Sequence, residues 1–235
     1  MKALIFAAGL GERMRPLTDI TPKPLLRAGG KPLIVWHLEK LAAIGVREVV
    51  VNTSWLAPQF PELLGDGARW GLKLRYSYEG ETPLETGGGM HHALHLLGGS
   101  PFIAVNGDIW TDFDFATLPS EPRGDAHLVL VQNPVHNPRG DFALDSEGGV
   151  HSDGAARLTF SGIGMYRSRL LEDWRLTIGD AAGVDADPPR FKLAPLLRAA
   201  MSRGAVTGSR HGGRWTDVGT PQRLEQLDRE LTAPD

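Results

Sequence analysis

The chain has 235 residues, 41% hydrophobic and 23% charged, enough to bury a substantial core as one domain or a domain with a small lobe. A formal charge of −3 without any lysine- or arginine-rich tract gives no footprint for nucleic acid or an anionic membrane, so phosphate binding has to be local. There is no cysteine, which excludes disulfides, thiolate nucleophiles and cysteine-held metals, and no apolar run fits a signal peptide or a membrane span, so a cytoplasmic location is expected.

Residues 3–7 form a short apolar run stopped by glycines, which reads as a buried strand. Over residues 32–44 the apolar positions Leu33, Ile34, Leu38, Leu41 and Ala42 recur at helical spacing, with Pro32 near the first turn and Gly45 as the stop. Further strands are expected at residues 48–52, 72–78 and 102–105, separated by helical or turn-like segments; this alternation argues for a parallel sheet covered on both faces. Beyond Asp108 come strand candidates at residues 126–132, 141–144 and 158–166, a mixed extension of the sheet. Residues 179–189, rich in Asp, Ala, Gly and Pro without periodicity, read as a surface loop poor in chemistry. Helices are expected at residues 193–203 and 221–231, the second with Leu224, Leu227 and Leu231 on one face.

Four motifs carry chemistry. In Gly9-Leu10-Gly11-Glu12-Arg13, glycines directly after a first strand let successive N–H groups turn toward one anion; Arg13 offers a planar fork of donors, and Lys23, in Pro22-Lys23-Pro24-Leu25, brings a mobile cation. The pattern lacks the third glycine of a dinucleotide fingerprint and the Gly-Lys-Ser/Thr of a P-loop. In Val105-Asn106-Gly107-Asp108, a carboxylate at a strand's C-terminal end suits a hard cation, and suits a turn equally well on residue type alone. In Trp215-Thr216-Asp217-Val218-Gly219-Thr220-Pro221, Thr220 caps a helix starting at Pro221, while Asp217 is free for other work. Pro83-Leu84-Glu85-Thr86-Gly87-Gly88-Gly89 leads into a helix, with glycines that admit a flat base close to the backbone or serve only as a loop. His91 and His95 share a helix face, but no glutamate between them and no third ligand at a recognisable spacing supports a zinc site.

The string Ala7-Ala8-Gly9-x-Gly11-x-Arg13-Met14-x-Pro16-Leu17-Thr18 followed by Pro22-Lys23-Pro24-Leu25 resembles the signature of the sugar-1-phosphate nucleotidyltransferases, and the resemblance runs to about Leu231. Leu84-Glu85-Thr86-Gly87-Gly88-Gly89 is most similar to the N-acetylmuramate 1-phosphate uridylyltransferases within that group, whereas mannose-type guanylyltransferases tend toward Gly-Thr-Ala-Gly there. The resemblance implies an α/β fold with a Rossmann-like, mostly parallel mixed sheet and helices on both faces (GT-A-like), as a bare catalytic domain over residues 1–235. It implies Arg13 and Lys23 as catalytic residues and Mg²⁺ held by Asp108 and Asp217. It implies a nucleotide site of Gly9, Gly11, Glu12, Arg13, Lys23, Glu79, Gly88 and Asn106, with the Glu12 side chain turned from the phosphates. A sugar site is implied at Asn106, Gly140, Asp141, Ser161 and Gly162, although Asp141 would equally cap a turn, and Lys192 would meet a phosphate or simply be solvated. The partners implied are UTP and a sugar 1-phosphate, with no nucleic acid, membrane or obligatory protein partner. Residue chemistry alone lets Glu79 accept guanine N1–H and N2–H, so GTP with mannose or heptose 1-phosphate is the nearer rival and a non-catalytic nucleotide-sugar-binding subunit the farther.

Overall fold

A computed structural model describes residues 1–233. Strands are β1 (Lys2–Phe6), β2 (Arg27–Ala28), β3 (Lys31–Pro32), β4 (Glu48–Thr53), β5 (Lys73–Tyr78), β6 (Phe102–Asn106), β7 (Ile109–Thr111), β8 (Ala126–Val131), β9 (Phe142–Leu144), β10 (Val150–His151), β11 (Arg157–Tyr166), β12 (Val206–His211) and β13 (Trp215–Asp217). Helices are α1 (Leu17–Ile20), α2 (Leu33–Ala43), α3 (Gln59–Leu64), α4 (Glu85–Leu97), α5 (Trp174–Ile178), α6 (Ala194–Ser202) and α7 (Pro221–Thr232). Each strand and helix expected from periodicity is present within one or two residues, which is the ordinary blur of element ends.

The central sheet has nine strands in the order β10-β9-β11-β6-β1-β4-β5, with β8 pairing β11 and β12. β6, β1, β4 and β5 run parallel, and β11 closes antiparallel on β6. The apolar runs were legible because both faces are buried: Ala3, Ile5, Val49, Val51, Ile103 and Val105 face one core layer with Ile34, Leu38 and Leu41 of α2. Leu4, Val50, Phe102 and Ala104 face the opposite layer, with Met90 and Leu97 of α4 and Leu196 and Leu197 of α6. A third cluster joins Met14, Leu26 and Leu33 to Trp110, Val218, Leu224 and Leu227, and so pins α7 beneath the glycine loop.

Periodicity did not reveal the ladder β7–β13, which pairs Asp217 with Ile109 and closes with the Val218 N–H donating to Asp108 O at 2.9 Å. Three-residue strands carry too little pattern to read locally; their pairing is a tertiary fact. The ladder brings the backbone of Asp108 beside the end of β13 that carries Asp217, although 109 positions separate them.

The glycines opening α4 serve the protein's own packing. A Cβ on Gly87 would come 2.6 Å from the Phe191 ring, one on Gly88 2.6 Å from Pro189 O, and one on Gly89 would overlap Glu79 Oε1 and lie 2.7 Å from Asn52 Nδ2. The space beside these glycines is filled by Phe191, Pro189, Glu79 and Asn52. Gly89→Ala should therefore lower stability by about 1–3 kcal/mol through overpacking, whereas Gly99→Ala, with nothing within 4 Å of the new Cβ, should stay within about 0.5 kcal/mol of wild type in urea denaturation.

Candidate active site

A cleft of about 720 Å³ opens at the carboxyl ends of β1, β4 and β6, the position where open parallel sheets receive ligands. Its walls include the glycine loop at residues 9–13, Lys23 and Asp108 at one end, and Glu79, Thr82, Glu85 and Arg190 at the other.

The glycine loop leaves β1 and turns at Gly11, whose φ of +66° suits glycine and whose absent Cβ would lie 2.8 Å from Thr18 Cγ2. Thr18 Oγ1 donates to Gly11 O at 2.9 Å, and the fully buried Met14 plugs the turn into the α7 cluster. Arg13 and Glu12 stay exposed on the cleft wall. Among the described residues none of the N–H groups of residues 9–13 donates to another group of the chain, which leaves them facing solvent or an anion.

Lys23 is held in a one-turn helix, Lys23–Leu25, and is only 8% exposed. A buried ammonium requires a partner, and Asp108 Oδ2 accepts from its Nζ at 2.6 Å. Gly107, between Asn106 and Asp108, donates its N–H to Phe6 O at 2.8 Å, and a Cβ there would strike that same oxygen, so the approach of β6 to β1 depends on glycine. Beside Asp108, the fully buried His37 donates Nε2–H to Ile109 O at 2.9 Å; burial lowers its pKa to about 4, so the ring is neutral.

Asp217 ends β13 with its carboxylate clamped: Oδ1 pairs with Arg223 Nη1 and with His136 Nε2, the latter at 2.8 Å. Thr220 accepts from the Arg223 N–H, the expected cap of α7, and so aims the first turn of α7 at Asp217. Neither His136 nor Arg223 was legible beforehand, since each meets Asp217 only through the fold.

Glu79 is almost fully buried, and both its oxygens are engaged: Oε1 accepts from Asn52 Nδ2 and Oε2 from the Leu84 N–H at 2.8 Å. Asn52 Oδ1 accepts in turn from the Ala7 N–H at 2.6 Å. Burial pushes the Glu79 carboxyl up to about 7, against the lowering effect of the two donors. Its acceptor capacity is thus committed within the protein rather than held ready for a guanine edge. Asn52 went unremarked in the sequence, although an asparagine near the end of an otherwise apolar strand, one strand removed from that of Asn106, was the available signal.

Several expected positions need correction. Gly88 does not line the cleft; its N–H donates to Phe191 O at 2.9 Å, because the chain at residues 189–191 docks against α4. Asp141 accepts from the Phe160 N–H at 2.8 Å and from Asn137 Nδ2 at 3.1 Å, a clasp across the register shift of β11, and is not turned to the cleft. Ser161, 1% exposed, donates to Val129 O and accepts from the Ile163 N–H, and Gly140 packs against Arg157 O. Gly162, at φ +82°, has the place of its Cβ taken by Asn106, so it supports a cleft residue rather than lining the cleft. Lys192 is exposed, outside the cleft wall. His91 packs on Trp174 and Phe191, and His95 Nδ1 bonds His92 O, so they form no pair for zinc. Residues 179–189 are irregular as expected, yet that loop delivers Arg190 to the cleft.

A glycine loop of unspent N–H groups and the Lys23–Asp108 pair, at the carboxyl ends of a parallel sheet, suit a polyphosphate in an α/β cleft, while Asp217 stands outside the residues that line the cleft, on the β7–β13 ladder that follows Asp108. The chain belongs to the nucleotidyl transferase family, whose model matches residues 2–140. It is 50% identical over 233 residues, 96% of each chain, to an N-acetylmuramate alpha-1-phosphate uridylyltransferase of Neisseria meningitidis. It is 36% identical over 242 residues, 97% of this chain and 64% of the relative, to a mannose-1-phosphate guanylyltransferase of Mycobacterium tuberculosis. Among solved structures, HddC from Yersinia pseudotuberculosis in complex with GMP-PN shares the fold, with a TM-score of 0.75 at 20% identity, covering 98% of this chain and 99% of that one. No helix among the described residues is long and apolar enough to cross a membrane.

The Glu79 carboxyl makes a pH-dependent contribution. It holds its proton to about 7 in the folded chain against 4.5 ordinarily, so the folded state binds more protons between those values. That contribution is complete below the unfolded value and lost as pH rises through the folded one. The urea midpoint of wild type relative to Glu79→Gln should therefore fall steadily across this window; a constant difference would remove the perturbed carboxyl from the account.

Proposed function

We propose that this enzyme transfers a uridylyl group from UTP to N-acetyl-α-D-muramate 1-phosphate, giving UDP-N-acetylmuramate and pyrophosphate. The observation that carries the reading is the cleft itself, with its phosphate-facing loop and Lys23–Asp108 pair, in a chain half identical over 96% of its length to a uridylyltransferase of that name. An oxygen of the sugar phosphate attacks the α-phosphorus of UTP, a new P–O bond forms, the α–β bridging bond breaks, and pyrophosphate leaves with the electron pair. No covalent enzyme intermediate is required.

In this reading the N–H groups of residues 9–13 cradle the triphosphate, Arg13 meets the departing pyrophosphate, and Lys23 neutralises charge between the α-phosphate and the incoming sugar phosphate. Asp108 and Asp217 suit Mg²⁺: both are hard oxygen donors, each keeps one oxygen without a partner among the described residues, and the cations that pair with them, Lys23 and Arg223 with the His136 ring, occupy only the other oxygen of each. Two carboxylates completed by phosphate oxygens and water is how this dehydration-resistant ion is usually held. When bound, the metal withdraws negative charge from the reacting phosphates. Asn106, at the end of β6 and on the cleft wall, is placed for the nucleotide and the sugar phosphate. The product is a cell-wall sugar nucleotide, so we place the step in cytoplasmic recycling of peptidoglycan sugar.

A pyrophosphate-release assay crossing UTP, dTTP, GTP and CTP with muramate, mannose and heptose 1-phosphates tests the assignment. UTP with the muramate substrate should dominate; a preference for GTP with mannose or heptose phosphate would transfer the enzyme to the guanylyl branch, and no release with any pair would leave only binding. Lys23→Ala, Asp108→Asn and Asp217→Ala should each lose roughly 10²–10⁴ in kcat with the fold retained, while Lys73→Ala, on the exposed face of the edge strand, should match wild type. Near-normal turnover in any of the first three removes that residue from the machinery.

A further inference from the structure

The end of the cleft away from the phosphate loop presents two charged side chains that no expected role absorbs. Glu79 is committed to Asn52 and the Leu84 N–H, which leaves Glu85 and Arg190 as the other charged groups on that wall. Their contact is long, Arg190 Nη2 to Glu85 Oε1 at 3.4 Å, and the side chains are 48% and 37% exposed, so both remain open to a ligand. Glu85 also begins α4 at a φ of +63°, a left-handed conformation that costs an L-residue roughly 1–2 kcal/mol and that glycine would adopt freely. A carboxylate kept in such a position is the kind of local strain found where a side chain is needed.

The opposite partner is equally well placed. The Arg190 N–H donates to Gly183 O at 2.8 Å, and the next residue exchanges two backbone hydrogen bonds with the start of α4: Phe191 N–H to Leu84 O at 3.1 Å and Gly88 N–H to Phe191 O at 2.9 Å. Phe191 stacks on Trp174 with ring centres 4.3 Å apart. The irregular loop is thus nailed to α4 one residue beyond Arg190, which sets a donor fork beside an acceptor.

We infer that Glu85 and Arg190 read the nucleobase as a pair, the carboxylate accepting from a ring imino N–H and the guanidinium donating to the carbonyl next to it. This rests on the nucleotidyl-transfer reading of the cleft and extends it to base choice. Uracil, like guanine, carries an acceptor carbonyl beside an imino donor; cytosine and adenine present an amino donor beside a ring-nitrogen acceptor, which sets donor against guanidinium and acceptor against carboxylate. The pair therefore separates keto from amino bases, and the room around it has to separate uracil from guanine.

The test is calorimetric binding of UTP, CTP, GTP and ATP, with Mg²⁺, to wild type, Glu85→Gly, Arg190→Ala and, as a control outside this cleft, Glu81→Gln, together with KM for each triphosphate that reacts. Glu85→Gly suits the +63° backbone, so the fold is retained, and Arg190→Ala provides an independent arm. The UTP-over-CTP affinity ratio should fall at least about tenfold in both variants and stay at the wild-type value in the control. An unchanged ratio in both variants, or a wild type that binds CTP as well as UTP, overturns the pair. If wild type prefers GTP, the uridylyl assignment fails by itself, and the GTP-over-ATP ratio in the same variants still decides whether Glu85 and Arg190 read the base.

Discussion

A buried amide and a buried carboxyl tie the two ends of the cleft together. Asn52 accepts from the Ala7 N–H, where the chain leaves β1 for the glycine loop, and donates to Glu79, which accepts from the Leu84 N–H just before α4. The glycine-loop wall and the wall at the start of α4 are thus coupled through hydrogen bonds shielded from water, where an unpaired polar group would be expensive. Gly89 exists at the point of α4 where any side chain would collide with this relay. The raised pKa of Glu79 follows from the same burial, and marks a structural carboxyl whose perturbation is a cost of joining the two walls.

The phosphate end is organised by paired charges. Lys23, nearly buried, is neutralised by the half-exposed Asp108, and Asp217 is answered by Arg223 and His136. Each carboxylate is thereby held in place by a cation within the chain itself. The ladder β7–β13 and the cluster that seats α7 against Met14 and Trp110 keep these groups in register, so the metal-binding candidates, the glycine loop and α7 form one mechanical unit.

How legible each part was depended on the range over which it is encoded. The parallel strands were readable because each is buried on both faces and is therefore an unbroken apolar run. Arg13 and Lys23 stood out because they sit in one long motif, and Asp108 and Asp217 because their short segments resemble those of the family. Asp141 and Ser161 carried two readings because aspartate and serine serve local hydrogen bonding as readily as ligand binding; here their hydrogen bonds hold the backbone around a register shift in β11. The Gly87-Gly88-Gly89 run misled for a related reason, since close approach to a backbone looks the same in sequence whether a base or Phe191 makes it.

By itself the sequence determined the α/β class, the order of its principal strands and helices, the absence of thiol chemistry and the glycine-rich loop with its cations, because these are written in residue type and short-range period. Tertiary structure alone decided that the strand ending at Asp217 pairs with the one that begins just after Asp108, that Glu79 is turned inward to Asn52, and that a loop without periodicity carries Arg190 to Glu85. The physical reason is the same in each case: contacts across a sheet or between a loop and a helix end depend on which surfaces bury each other, and no window of neighbouring residues contains that information.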